Sequence, residues 1–541
     1  MKGWLDRIFV SLAREFRWSF MPPLMVYMAA GISGLTAIVG TFFVKDYLGL
    51  SAEFLAALGF WAGLPWALKM PLGHLVDLIW RYKAGLVYLG ASLIAASLLI
   101  MIGLLAEPDA MRRYASAEAW FVLAVLLAPI GYVTQDVVAD AMTVEAVPLV
   151  RSDGSAVPDA ERRSMHTTMQ TLGRVAIIGG SLMVALVNVV MLRGVQLLPE
   201  PGQAAVYVLV YQLALLIPVI SVAGVVLASW LLRRRVAAMV AGGQTREEAW
   251  RLVSVHDEAP PVNWWILGGG LLFAGVSLTV GLSDWPLFAR WGQEIIFTVS
   301  LAIVIFLIVR LTRELTPEAR RTLIGTAIVI FVFRALPGPG AGATWWQIDV
   351  LGFDQQFLSE LSLIAASLTL AGLFVFRRFM AERSIYYVVG ALSVAGFLLS
   401  LPIVGMFYGL HEWTAALTGG VVDARFIAVI DTALESPLGQ IAMVPMLAWI
   451  ANSAPARLKA TFFAVMASFT NLALSASQLG TRYLNSIYTV SREVRDPDTG
   501  LVTVAADYSQ LGELLIVVTV MSLAIPLLAI GLMQLARLRS G

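Results

Sequence analysis

The stretch Pro65–Lys83, PWALKMPLGHLVDLIWRYK, decides the fold, because it places a short charged turn between two apolar segments. Each flanking segment can cross a membrane, for which a helix needs about 20 mainly apolar residues. Gly73 is expected to let two helices approach closely, and Asp77 stands near a helix end, where a carboxylate can meet backbone N–H groups or a cation. Arg81 and Lys83 are expected to hold the turn at the anionic cytoplasmic surface. The stretch therefore predicts a cytoplasmic gate between two spanning helices.

The composition places the whole chain in a membrane. Of 541 residues, 59% are hydrophobic and only 13% are charged, and the mean hydropathy is +0.80. These values exclude a soluble globular protein of this size and predict an all-α polytopic membrane protein in a lipid bilayer. The 37 basic and 36 acidic residues nearly cancel, so no nucleic acid is expected as a partner.

Cofactor and metal chemistry find no support in the residue types. The chain has no cysteine, which excludes disulfides, thiol catalysis and cysteine metal sites. Its four histidines are scattered, without the spacing of metal ligands. We expect no cofactor, and because no nucleophile constellation is visible, an intramembrane enzyme is the least supported function.

Apolar segments of spanning length recur along the chain. Residues 1–20 alternate basic and apolar side chains, which predicts a helix lying on the membrane surface. About fourteen spans follow. They are expected near 22–44, 53–72, 84–106, 118–143, 165–192, 205–232, 263–283, 290–310, 321–342, 355–376, 385–408, 424–450, 457–482 and 509–536.

The spacing of these spans predicts two six-helix bundles with an extra helix pair between them. The predicted units are an N-terminal bundle at 21–235, a linker at 236–262, a hairpin at 263–312 and a C-terminal bundle at 313–541. The segment at 372–383, with Arg377 and Arg378, occupies in the second bundle the place of the Pro65–Lys83 turn in the first. Two related halves are thus the simplest architecture, and we expect a monomer.

The distribution of basic residues predicts the orientation. With the N-terminus inside, the cytoplasmic segments carry about 25 Lys and Arg and the outer segments about 9, as the positive-inside rule requires. We expect both termini in the cytoplasm and the protein in a bacterial inner membrane.

Charged residues inside the spans mark the candidate site, since each costs about 2.5–3.5 kcal/mol in hydrocarbon unless it faces a partner or a cavity. In the fourth span Asp136 and Asp140 lie one helical turn apart on one face. Arg174 lies at a depth in the fifth span comparable to that of Asp136, so the two are expected to pair. Asp140 is close enough to the cytoplasm to belong to the gate. Lys69, four residues from the predicted helix end, either snorkels to the interface or faces the cavity.

The second half repeats this arrangement, with Asp431 and Glu435 on one face of a helix and Arg334 deep in another. Two interpretations stay open. The pairs could hold helices in register. Alternatively, the arginines bind an anionic substrate, while Asp136, Asp431 or Glu435 takes up and releases a proton.

Uncharged residues complete the list of candidates. Gln170 and Asn471 could hydrogen-bond a substrate, or join helices. The segment PGPGAG at 337–342 is expected to be a flexible helix end near the outer surface, and Trp345 and Trp346 are expected to be interfacial anchors.

Several segments together resemble a known family. Gly73, Asp77 and Arg81 at their spacing resemble the loop between the second and third helices of the major facilitator superfamily. Within this superfamily, the chain resembles the folate-biopterin transporter family more closely, and it does so over both halves. The segments concerned are PW with Lys69, Gly73 and Asp77; QDVVADAMTVE at 135–145; MQTLGR at 169–174; the segment 335–361; and the segment 455–480, which contains Ser468 and Asn471.

This resemblance implies a symporter that takes up pterin-based anionic heterocycles, driven by protons. Arg174 or Arg334 would hold the substrate carboxylates. Two alternatives stay open. The QD pair of the fourth helix also resembles muropeptide permeases, which implies another amphipathic solute. A membrane assembly factor or pigment-handling protein on the same fold would not transport at all.

Overall fold

The computed structural model describes residues 16–67, 69–147, 155, 157–253, 262–283, 285–376, 383–438, 459–495 and 501–538. Of the predicted surface helix at 1–20, residues 1–15 lie outside this part, and Trp18–Phe20 form a 3-10 turn. Arg377 and Arg378 also lie outside it.

The described part of the first half consists of helices and the turns that connect them, without a strand. Its helices are α1 (Met21–Ile32), α2 (Ala37–Tyr47), α3 (Ala52–Ala67), α4 (Lys69–Leu78), α5 (Lys83–Ala106), α6 (Pro108–Arg112), α7 (Ala117–Ala146), α8 (Asp159–Met191), α9 (Glu200–Ala214) and α10 (Leu216–Ala241). The pairs α1–α2, α3–α4 and α9–α10 each form one span, so six spans result.

The rest of the chain adds a hairpin and six more spans. Its helices are α11 (Arg246–Val253), α12 (Trp264–Leu282), α13 (Pro286–Leu311), α14 (Pro317–Arg334), α15 (Ala341–Asp349), α16 (Gln355–Val375), α17 (Ile385–Phe407), α18 (Leu410–Thr418), α19 (Ala424–Glu435), α20 (Lys459–Ile487) and α21 (Leu511–Leu535). Two short antiparallel strands, β1 (Val494–Arg495) and β2 (Val502–Val504), join α20 to α21. The sequence did not predict this strand pair.

Length and composition support the membrane assignment. Within the described ranges, nine helical stretches are long and apolar enough to cross a membrane. Together with the other helices of the described ranges, the architecture is two six-helix bundles and the α12–α13 hairpin, about fourteen spans.

Polar residues at the ends of the apolar segments set several helix starts. The side chains of Ser116, Thr316, Asp354 and Asp423 each accept a hydrogen bond from a backbone N–H in the first turn of the helix that follows. Such N-caps satisfy donors that would otherwise be unpaired at the helix end.

Close helix packing in the first half depends on glycine, but not on Gly73. A Cβ at Gly90 would lie 2.6 Å from the carbonyl oxygen of Gly131, so α5 and α7 can cross this closely only without side chains there. A Cβ at Gly73 would meet nothing within 4 Å. The prediction that Gly73 permits a close helix approach is therefore wrong in this state.

The α12–α13 hairpin packs directly on the second span. A Cβ at Gly270 in α12 would lie 2.5 Å from Cβ of Pro71. The backbone of α12 at this glycine therefore packs against the proline ring of α4. The backbone N–H of Asn263, just before α12, donates to Nε2 of His74 at 2.8 Å. On its other side, the hairpin meets α20 through Gln293, whose Oε1 accepts from Nη1 of Arg482 at 3.2 Å. The hairpin thus contacts both halves.

Two ends of the bundle are distinguished by their contacts. We call the end with the Trp80–Tyr82 turn the Trp80 end, and the opposite one the Asp349 end. At the Asp349 end, Nζ of Lys45 in the first half lies 2.7 Å from Oδ1 of Asp349 in the second. Nearby, Nε2 of Gln355 donates to the hydroxyl of Tyr207 at 2.8 Å. These contacts join the two halves at the Asp349 end.

The two tryptophans at this end are core residues. Trp345 is 2% exposed and Trp346 is 3% exposed, so the prediction that they anchor the protein at the interface is wrong. Trp346 packs against Phe407, with ring centroids 5.6 Å apart. The Trp345 ring lies under the guanidinium of Arg492 at 5.3 Å, and burial in this loop lowers the pKa of Arg492.

Candidate functional site

Helix α20 of the second half binds the backbone of the second span where α3 and α4 follow each other. The backbone N–H of Met70 donates to Oγ of Ser468 at 3.2 Å, and the carbonyl of Trp66 accepts from Nδ2 of Asn471 at 3.3 Å. Pro71 has no N–H and therefore cannot donate to the carbonyl of Ala67. Two side chains of α20 thus hold this part of the second span.

The same helix also binds the segment that contains PGPGAG. Leu336 O accepts from Oγ of Ser477 at 2.6 Å, and Gly338 N–H donates to Oγ1 of Thr481 at 2.9 Å. Gly340 has φ +78°, and a Cβ there would lie 2.6 Å from Nδ2 of Asn485. The segment follows the end of α14, as predicted, and these contacts tie it to α20; its flexibility stays a prediction.

Lys69 lies at the start of α4 and bridges two carboxylates of α7. Its Nζ is 2.6 Å from Oδ2 of Asp136 and 2.8 Å from Oδ2 of Asp140. The hydroxyl of Tyr27 in α1 donates to Oδ1 of Asp140 at 2.6 Å. We call these four residues the Lys69 cluster. It joins three helices of the first half, and the side chains of Lys69 and Asp136 are 18% and 16% exposed, whereas that of Asp140 is 43% exposed.

The sequence pointed to a different partner for Asp136. The expected Arg174–Asp136 pair is not among the ion pairs of the described residues, where Lys69 holds the carboxylate instead. Arg174 is still close enough to act electrostatically on Asp136 and Tyr27. The sequence leaves open whether Lys69 reaches the membrane interface, because the second span is predicted to end soon after it. Because α4 continues to Leu78, Lys69 lies about 13 Å from that end, too deep to snorkel easily.

Gln135, next to Asp136, joins helices. Its Nε2 donates to the carbonyl of Val87 at 3.3 Å and its Oε1 accepts from Oγ of Ser221 at 3.0 Å. These bonds fix α7 against α5 and α10 and thereby the orientation of the carboxylates on the other side of α7.

Arg334 and Asn471 meet at α20. Arg334 ends α14, and its Nε donates to the carbonyl of Thr470 at 3.1 Å. Asn471 uses its amide nitrogen on Trp66, so it joins α20 to α3, and its carbonyl oxygen is the part left for a ligand. The second predicted arginine thus lies beside the same α20 segment that contacts α3 and α4.

The carboxylates predicted in the second half lie on α19. Asp431 Oδ1 is buried without a hydrogen-bond partner among the described residues, whereas Glu435 is exposed. The two are one turn apart.

The predicted gate residues are partly described. Asp77 lies in the last turn of α4, and Arg81 lies in the following turn with its side chain outside the described part, as does the side chain of Gln170 in α8. At this Trp80 end, Nζ of Lys83 lies 2.5 Å from Oε1 of Glu145 and 4.1 Å from the Trp80 ring centroid. Lys83 therefore ties the turn to the end of α7. Asp140, also predicted at the gate, belongs to the Lys69 cluster.

Comparison with known families gives a match over nearly the whole chain. A model of the BT1 family matches residues 30–540. A protein of Synechocystis sp. (strain ATCC 27184 / PCC 6803 / Kazusa) named folate-biopterin transporter is 22% identical over 469 residues, which cover 86% of this chain and 74% of the relative.

Solved structures with the same fold are transporters. A peptide transporter POT in complex with sulfate matches with a TM-score of 0.55 and 19% identity, over 97% of this chain and 96% of its own. A POT family transporter in complex with 5-aminolevulinic acid matches with a TM-score of 0.58 and 11% identity, over 96% of each chain. These similarities show the major facilitator-like fold. The relatives in both comparisons are transporters and not enzymes.

Proposed function

This chain belongs to the BT1 family, a family of membrane transporters, and on that premise we propose that it takes up folate- or pterin-like anionic heterocycles by proton-coupled symport. The substrate class is that of the Synechocystis relative's name. The observation that carries the proton coupling is the Lys69 cluster, in which one cation faces two carboxylates in the middle of a membrane bundle.

The charges of this cluster suggest how substrate and proton are coupled. Lys69, Asp136 and Asp140 carry one positive and two negative charges when all are ionised, and Arg174 nearby supplies the balancing charge. When the carboxylate of a substrate engages Arg174, this balance is lost. A proton on Asp136 or Asp140 then restores neutrality, which a low-dielectric site strongly favours. Binding of the anion thus promotes uptake of the proton.

The substrate is proposed to lie between the halves, with Arg174 of the first half and Arg334 of the second as its anchors. Arginine binds carboxylates with two parallel hydrogen bonds, and folate offers such groups at one end. Gln170 and the free carbonyl oxygen of Asn471 would serve the edge of the pterin ring. In the second half, the unpartnered Oδ1 of Asp431 and the nearby Glu435 are proposed as a second proton acceptor.

Alternating access is proposed to use the two ends of the bundle in turn. The Lys45–Asp349 pair closes one end, and with both termini in the cytoplasm of a bacterium this end faces outward. Gly73, Asp77 and Arg81 at the Trp80 end would then form the inner gate, with Asp140 linking the gate to the coupling site. Rocking of two bundles about a central site is the common mechanism of such folds.

Uptake of labelled folate into proteoliposomes, with biopterin as competitor, tests the proposal. We expect accumulation that needs an inward proton gradient and that biopterin inhibits. Asp136→Asn should lose gradient-driven accumulation, whereas Asp109→Asn, at an exposed position in α6, should retain it. Absence of uptake of either compound by folded protein would refute the substrate class, and uptake indifferent to the gradient would refute the coupling.

A further inference from the structure

A polar cleft lies at the Asp349 end, outside the Lys69 cluster. It has a volume of about 490 Å³ and is formed by the start of α3, the turn of the α12–α13 hairpin and the end of α20. Its charged lining residues are Glu53, Arg290 and Arg482. The volume is within the range of about 300–1,000 Å³ that small-ligand sites occupy.

Arg482 stands at the back of the cleft with its acceptors at long distances. Its Nε lies 3.5 Å from Oε1 of Glu53, and its Nη1 lies 3.5 Å from Oε1 of Glu294 and 3.2 Å from Oε1 of Gln293. Charge-assisted hydrogen bonds between arginine and carboxylate are commonly about 2.7–2.9 Å. The guanidinium is thus held among three acceptors without a tight bond to any of them.

Glu294 does not line the cleft. Its Oε1 accepts from the hydroxyl of Tyr483 and lies 3.5 Å from Nη1 of Arg482. Glu294 therefore balances the charge of Arg482 from outside the cavity. The other charged lining residues are exposed: Arg290 lies over the Trp291 ring at 5.4 Å, and Glu53 is 43% exposed. The cleft thus presents both signs of charge.

The surroundings of the cleft place it at the level of the membrane interface. Phe54, Trp285 and Trp291 are exposed by 42%, 59% and 42% at the ends of the spans around it. Exposed aromatic residues in this position form the belt that lies among lipid headgroups. The deeper wall is apolar, with Trp61 and Phe288. A ligand that suits the cleft therefore combines a headgroup of both charges with an apolar part.

We propose that this cleft binds a phosphate–ammonium headgroup, the chemistry of an ethanolamine phospholipid. Arg290 and Arg482 hold the phosphate, and Glu53 accepts from the ammonium group. Because the cleft joins the first half, the hairpin and the second half, an occupied site holds these three parts together. The ligand thereby stabilises the state in which the Asp349 end is closed.

Binding to the purified full-length protein tests this assignment. The probes are phosphatidylethanolamine, phosphatidylcholine and phosphatidylglycerol added to delipidated protein in detergent, read out by native mass spectrometry and thermal unfolding. We expect preferential retention of phosphatidylethanolamine and a higher Tm with it. Phosphatidylcholine should bind more weakly because its quaternary nitrogen has no N–H for Glu53. O-phosphoethanolamine, added alone, separates the two sources of the headgroup: competition by it means that the headgroup suffices, and its failure to compete means that the lipid tails are needed.

Two hairpin variants form a matched pair. Arg290→Gln should weaken phosphatidylethanolamine binding about tenfold, as expected for a lost hydrogen bond to a charged group. Arg310→Gln is the control, since Arg310 lies on Trp265 at 4.3 Å at the opposite end of the same hairpin. Glu53→Gln should abolish the preference over phosphatidylcholine. Equal binding of the three lipids, a preference for phosphatidylglycerol, or equal effects of Arg290→Gln and Arg310→Gln would overturn the proposal.

Discussion

Nζ of Lys69 lies 2.6 Å from Oδ2 of Asp136, and this contact joins the second span to the fourth span. Lys69 thus faces α7, while two side chains of α20 from the other half bond to the backbone at Trp66 and Met70 beside it. Any movement of α20 against α4 therefore acts on the position of Lys69. Through this pair, relative motion of the two halves can change the ion pairing of Asp136 in the first half.

Removing the cation alone should destabilise the protein strongly. Lys69→Ala leaves Asp136 and Asp140 facing each other without their partner, and loss of one member of a buried pair costs about 3–5 kcal/mol. The double variant Lys69→Ala/Asp136→Asn leaves one carboxylate, still bonded to Tyr27, and should recover a large part of the loss. Thermal unfolding in detergent measures both. A single variant as stable as the parent protein would contradict the burial of this pair.

Tyr27→Phe removes one hydrogen bond to the cluster without changing its charge. A hydrogen bond to a charged group contributes about 1.5–3 kcal/mol, so we expect a modest loss of stability and a changed proton dependence of uptake. Uptake against pH is the measurement. Tyr114→Phe, at a residue 84% exposed, is the control. If Tyr27→Phe had the same pH profile as the parent protein, Tyr27 would have no part in proton coupling.

Ser468→Ala should destabilise the contact of α20 with the second span. The N–H of Met70 would lose its hydrogen bond to Oγ of Ser468 in a buried position, which costs about 1–3 kcal/mol. Ser475→Ala on the same helix is the matched control, because Oγ of Ser475 is buried without a hydrogen-bond partner in the described part of the chain. Its removal should be neutral or stabilising. Equal Tm values for the two variants would show that the Ser468 hydrogen bond does not stabilise this contact.

Cross-linking tests whether the Asp349 end opens during transport. The chain has no cysteine, so introduced pairs react without background. Joining Lys45→Cys to Asp349→Cys with a short bifunctional reagent should abolish uptake, because these residues belong to different halves. Joining Lys83→Cys to Glu145→Cys, both in the first half, should leave uptake largely intact. Normal uptake by the first cross-linked pair would contradict opening at this end.

Hydropathy predicts spans well where a helix is continuous and apolar. The third span was expected at 84–106 and is Lys83–Ala106. Prediction of the second span failed at its end, because Lys69 and Asp77 lower the local hydropathy although the helix continues to Leu78. Pro71 removes one helical hydrogen bond at this point, and a proline within a span is tolerated where a neighbouring helix bonds to the backbone, as α20 does here.

Contacts between distant segments could not be predicted from local patterns. Trp345 and Trp346 follow a span and so resemble interfacial anchors, but their partners Arg492 and Phe407 come from other parts of the chain. As a polar residue within a span, Asn471 is predicted either to bind substrate or to join helices. Only the position of Trp66 shows that its amide nitrogen joins two helices.

The most direct test of the coupling site compares two modes of transport in Asp136→Asn. Exchange of labelled for unlabelled folate across proteoliposome membranes needs no net proton movement, whereas accumulation driven by a proton gradient does. If the Lys69 cluster carries the proton, the variant retains exchange and loses gradient-driven accumulation. If Asp136→Asn still accumulates folate in response to the gradient, the proton is carried elsewhere and the account of coupling is wrong.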